Sequence, residues 1–80
     1  MINDYKNYEI KRFFEDTTKM DIYSITQIYG KAIVVLNDGK QIYTVTLTDD
    51  DITCTPKMED FDRIKNEWLY FLEVNEKHLN

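Results

Sequence analysis

The spacing of apolar residues changes twice along this chain. Over residues 4–16, Tyr5, Ile10, Phe13 and Phe14 recur at intervals that trace one helical face, while Lys6, Glu9, Lys11, Arg12 and Glu15 fill the remainder. This spacing predicts a first amphipathic helix. Asn3 or Asp4 is placed to cap its start, and Thr17-Thr18, poor in helix propensity, lies at or beyond its end.

From residue 20 to residue 48 the chain turns β-branched and aromatic, which predicts three strands over residues 22–29, 32–36 and 41–48. Gly30-Lys31 divides the first from the second. Asn37-Asp38-Gly39-Lys40 divides the second from the third, and Asp-Gly is a strong hairpin signal because glycine accepts the positive φ such a turn requires. In the third run Tyr43, Val45 and Leu47 alternate with Thr44, Thr46 and Thr48, so one sheet face is expected to be buried and the other wet. Asp49-Asp50-Asp51 breaks the strand, and residues 52–54 have the pattern of a short fourth, edge strand.

The helical period then returns. Thr55-Pro56 reads as an N-cap followed by proline at the first helical position, where its missing N–H costs nothing. Phe61, Ile64, Trp68, Phe71 and Leu72 form the apolar stripe, with Met58 and Leu69 at its margins. Glu59 with Arg63 and Glu73 with Lys77 are spaced to pair along the helix, and its last residues are expected to fray. The whole chain, residues 1–80, is thus read as one α+β domain. It is a two-layer sandwich of helix, antiparallel meander and long C-terminal helix, with both helices on one sheet face.

With 80 residues, 42% apolar and 31% charged, there is material for one core and no second domain. The lone cysteine, Cys54, rules out an internal disulfide and points to a reducing compartment. The opening Met1-Ile2-Asn3-Asp4-Tyr5-Lys6 lacks the basic-then-apolar order of a signal peptide. No apolar run approaches the roughly 18 to 20 residues of a membrane span. A soluble, cytoplasmic protein with no membrane contact is the expectation.

Catalytic parts are scarce. His78 sits near the carboxyl terminus and reads as a surface residue, and Cys54 reads as a buried structural thiol with no histidine close in sequence. Two glycines leave no room for a phosphate-binding loop, and no paired cysteine ligands occur. Asp49-Asp50-Asp51 lacks the alternate spacing and glycine of a common calcium loop and reads as a solvated turn. Neither enzyme, cofactor nor metal is expected.

Charge says more. Residues 1–48 hold six acidic and six basic side chains, whereas residues 49–80 hold nine acidic and four basic, so the whole net charge of −5 belongs to the second half. Six carboxylates fall at Asp49, Asp50, Asp51, Glu59, Asp60 and Asp62. Glu59 and Asp62, three apart on the expected helix, would form a short negative row about 5 to 6 Å apart. Beside the aspartate turn, such a row suits a groove lined by lysine and arginine. The competing reading is dipole compensation at a helix start, together with solubility. Direct nucleic-acid binding is disfavoured by the sign of the charge. The element order resembles that of double-stranded-RNA-binding domains, but the lysine cluster of their second helix is replaced here by Lys57, Met58, Glu59 and Asp60. Among six tyrosines, Tyr8, Tyr29 and Tyr70 fall off the expected core stripes and are interface candidates.

Through Asp49-Asp50-Asp51, Glu59-Asp60-Phe61-Asp62 and the helix-meander-helix order, the chain resembles small acidic proteins that bacteriophages and other mobile elements make against host nucleic-acid enzymes, such as anti-CRISPR and anti-restriction proteins. The resemblance implies a DNA-mimicking inhibitor docked on the basic groove of a host protein. The residues expected at that contact are Asp49, Asp50, Asp51, Glu59, Asp60, Asp62 and Tyr70. The alternative reading is a structural or regulatory subunit that self-associates, as a homodimer, through the exposed sheet face or edge.

Overall fold

The computed structural model describes residues 1–75. After a 3-10 turn at Ile2–Asp4, the chain forms helix α1 (Asn7–Thr17), strands β1 (Asp21–Ile28), β2 (Lys31–Asn37), β3 (Ile42–Thr48) and β4 (Ile52–Thr55), and helix α2 (Phe61–Val74). The strands make one sheet in the order β1-β2-β3-β4 with every neighbour antiparallel, so the short fourth strand is present at the edge. Both helices pack on one face and share a single core with it, the α+β arrangement of the sequence pattern.

The core forms where alternation and helical period meet. Ala32, Val34 and Leu36 of β2, Val45 and Leu47 of β3, and Ile52 of β4 are buried beneath Ile10, Phe13 and Phe14 of α1 and Phe61, Ile64 and Trp68 of α2. Trp68 is fully buried against Phe13, Phe71 and Tyr5, with ring centroids at 5.0, 5.1 and 6.2 Å. Its indole N–H has no acceptor among the described residues, a cost of about 1–3 kcal/mol that burial of so large a ring offsets.

Both helices start later than the sequence predicts. Tyr5 is extended and Lys6 holds the N-cap position, so α1 begins at Asn7, and the Glu9 carboxylate accepts the Lys6 N–H at 2.8 Å. Neither Asn3 nor Asp4 caps this helix. The Asn3 carboxamide is committed to the β1–β2 turn, donating to Ile28 O at 2.9 Å and accepting from Gly30 N at 2.6 Å. Asp4 pairs with the amino terminus at 2.8 Å. Tyr5 still enters the core and donates its hydroxyl to Asn75 O at 2.9 Å, tying the first turn to the end of α2.

Thr55 is not a helix cap. It pairs with Thr44 as the last residue of β4, the Thr55-Pro56 peptide is cis, and Met58 drops into the core before α2 starts at Phe61. The ladder keeps Thr55 extended, so the chain must leave the sheet edge before it can coil across the face. Glu59 therefore lies ahead of the helix, and its expected pairing with Arg63 is replaced by Asp60 and Glu67 on that guanidinium. The Glu73–Lys77 pair, His78 and the fraying end fall on or reach into residues outside the described range.

Candidate functional site

The β3–β4 turn carries three exposed carboxylates on a well-pinned backbone. Thr48 N donates to Asp51 O at 2.9 Å, and Asp51 N donates to Thr48 Oγ1 at 3.1 Å. The Thr48 hydroxyl lies 3.3 Å from an Asp50 carboxylate oxygen, and Ile52 N donates to Asp51 Oδ1 at 2.8 Å. Asp49 Oδ1 accepts the Ile2 N–H and so fastens the 3-10 turn to this corner. These side chains are held, not free to sweep solvent.

Across from the turn, Lys65 Nζ of α2 lies 3.7 Å from Asp51 Oδ1. Asp62 is one helical turn before Lys65 and on the same flank of α2. Asp51 and Asp62 thus flank Lys65, and the amino-terminal ammonium of Met1 adds a second cation beside Asp49, which holds the N–H of the next residue. No hydrogen bond or ion pair engages Asp62 among the described residues.

The remaining carboxylates face elsewhere. Arg63 Nε is 2.6 Å from Asp60 Oδ2, its Nη1 is 2.6 Å from Glu67 Oε2, and its Nη2 donates to Thr17 O at 3.0 Å. Asp60, then Glu67, hold the guanidinium above its ordinary pKa, and the trio clamps α2 to the carboxyl end of α1. Glu59 lines a shallow pocket with Asp38, Tyr43 and Lys19 at the β2–β3 end of the sheet. That end and the aspartate turn are separated by the seven-residue length of β3, about 20 Å. The expected helical row of Glu59 and Asp62 does not form, because Glu59 precedes the helix.

Tyr70 lies two helical turns beyond Asp62, on the rim of an open groove of about 550 Å³ between the helices, with Phe13 and Phe71 in its walls. Tyr8, Tyr29 and Tyr70 are all strongly exposed. The structure therefore gathers Asp49, Asp50 and Asp51 on one turn, places Asp62 one helical turn before the Lys65 that reaches that turn, and leaves Glu59, Asp60 and Tyr70 on other surfaces.

Cys54 is half-buried, its Sγ lies 3.3 Å from Pro56 O, and burial pushes its thiol pKa up, which suppresses the reactive thiolate. Among the described residues no group of three or more histidine, cysteine, aspartate or glutamate side chains is placed to hold a metal ion, and no helix is long and apolar enough to cross a membrane.

Two features escaped the sequence pattern. Lys65 was not distinguished from other helix lysines, because its proximity to Asp51 is set by how α2 crosses the sheet. The second is the apolar content of the outer sheet face, at Ile33 and Val35. Its signal was the unbroken apolar run of β2, since strands covered on both faces read this way whereas one-sided strands alternate. Comparison of the chain with protein-family models, curated proteins and solved structures finds no match.

Proposed function

We propose that this chain is a non-enzymatic protein-binding module that inhibits a nucleic-acid enzyme by seating its acidic corner in that enzyme's basic groove. The observation that carries the reading is the fixed turn of three exposed carboxylates, Asp49, Asp50 and Asp51, with exposed Asp62 one helical turn before Lys65, so that these four carboxylates outnumber the two cations beside them, Lys65 and the amino terminus. Such a corner attracts a cationic surface over a Debye length of about 8 Å at physiological salt, speeding encounter and making it salt-sensitive. It repels nucleic acid itself, so the partner is a protein. Glu59 extends the negative surface around the start of α2, while Asp60 serves the Arg63 clamp. A single, half-buried cysteine without a disulfide partner in its own chain suits a cytoplasmic setting.

The test is a pull-down from host extract with the full chain as bait, at low and high salt, with duplex DNA as competitor. A nucleic-acid enzyme is expected to bind at low salt and to be displaced by salt and by duplex. The variant carrying Asp49→Asn, Asp50→Asn, Asp51→Asn and Asp62→Asn is expected to lose it. Undiminished binding by that variant, with its fold intact, refutes the proposal.

A further inference from the structure

We infer that the helix-free face of the sheet is where two copies of this chain meet. Side chains opposite one another in the strand register share a face, which places Ile28, Ile33, Val35 and Ile42 on the side away from the buried Ala32, Val34 and Leu36. Ile28 is opposite Lys31 and diagonal to Ile33, while Val35 is opposite Thr44 and diagonal to Ile42. These four residues therefore form a continuous aliphatic ridge across three strands, bordered by the threonines of β3 and β4. Ile28 and Ile42 are each 50% exposed, and no element covers the ridge among the described residues.

Charge identifies the occupant. Only Asp21 and Lys31 are charged among the strand residues turned to this face, on a chain that is 31% charged and carries −5 overall. A basic partner is drawn to the carboxylate corner and finds no field here. Two molecules of like charge, by contrast, approach with least repulsion through a neutral surface, and a polar-aliphatic face buries itself without stranding an ion. Size fits a reversible contact. Strands β1 to β3, seven or eight residues long, and the four-residue β4, about 4.8 Å apart, give a face of at most roughly 19 by 23 Å, so two faces remove roughly 800 to 900 Å² in total, the range of weak and transient association.

The sheet edges are poor alternatives. β4 is only four residues long, and β1 carries a bulge between Ile22 and Ser24 and has its Ile25 carbonyl taken by Asn7 at 3.5 Å. Face-to-face contact about a twofold axis also closes on itself, so assembly stops at two. This surface meets the acidic corner only at Thr48, whose hydroxyl lies beside Asp50, and the aliphatic ridge itself contains none of the corner's carboxylates.

Sedimentation equilibrium of the full chain across the micromolar range, at low and high salt, tests it. The apparent mass is expected to rise from one chain to two, with a midpoint that added salt lowers and never raises, since the two chains carry like charge and no ion pair is involved. Ile33→Lys and Ile42→Lys are each expected to raise that midpoint at least about tenfold by setting like charges face to face, with circular dichroism unchanged. If Ile33→Lys fails to fold, Ile42→Lys decides, because its site is half exposed at a strand end. Replacing Asp49, Asp50, Asp51 and Asp62 by asparagine is expected to leave the midpoint in place or lower it by reducing the repulsion of like charges, never to raise it, which separates this surface from the acidic corner. A wild-type chain that stays monomeric throughout overturns the inference, whether its face then proves bare or engaged by a foreign protein. So does a dimer that survives both folded lysine variants, or one that the asparagine variant abolishes.

Discussion

On β2, Ala32, Val34 and Leu36 point toward the helices and are fully buried, whereas Ile33 and Val35, interleaved with them and equally apolar, point away and stay partly exposed. The same strand thus makes two surfaces of similar composition and different fate. Hydrophobicity alone does not decide which is core; the helix stripes do, by covering one face only. Folding stability should therefore depend on the inner face and association on the outer.

The largest test of that division is Trp68→Ala, which removes the ring that closes the inner face. Cavity formation at so buried an aromatic is expected to cost about 3–5 kcal/mol, out of a total stability on the order of 4 to 12 kcal/mol for a chain of this length. Urea denaturation followed by far-ultraviolet circular dichroism measures it. A loss below about 1 kcal/mol would mean that the helices do not seal the sheet.

A matched pair sharpens the comparison one residue apart. Val34→Thr places a hydroxyl in the core and is expected to cost about 1–3 kcal/mol, because no acceptor waits there for it. Val35→Thr keeps the β-branched shape on the outer face and is expected to change stability by less than about 0.5 kcal/mol when measured at a dilution that keeps the chain monomeric. Equal costs in the two variants would erase the distinction between the faces.

The strands were legible because alternation is a local property. Val45 and Leu47 turn inward and Thr44 outward as the run of residues 41–48 predicts, and Gly39 adopts φ 96° after Asp38 in the expected turn. The helix starts were not legible, because each depends on a distant partner. Asn3 has the chemistry of a cap, yet its oxygen is committed to Gly30, 27 residues away, and Thr55-Pro56 has the grammar of a helix start overruled by pairing with Thr44. The site shows the same limit. Its surplus of carboxylates was countable, but that Asp51 meets Lys65 while Asp60 meets Arg63 follows from the path of α2 across the sheet.

The smallest expected effect asks what keeps the two faces from exchanging. A slip of one residue between β2 and β3 would carry Ile33 and Val35 inward, so either the turn joining these strands or burial itself must fix the register. In that turn Asp38 Oδ1 accepts the N–H groups of Lys40 and Gln41, each at 2.8 Å. These bonds, that of Lys40 first, hold the Asp38 carboxyl below its ordinary value. Protonation therefore works against the native turn. The contribution of Asp38 is present above the ordinary carboxyl value of about 3.9 and is lost as pH falls through the lowered folded value. If burial fixes the register, acid titration by NMR moves the Lys40 and Gln41 amides and leaves those of Val34 and Val45 in place. Asp38→Asn, which keeps an acceptor oxygen without a titrating proton, abolishes the Asp38-linked part of that movement. If the Val34 and Val45 amides follow the same acid transition, and cease to do so in Asp38→Asn, then the turn holds the register, and the partition of β2 between its faces rests on one exposed carboxylate instead of on the core.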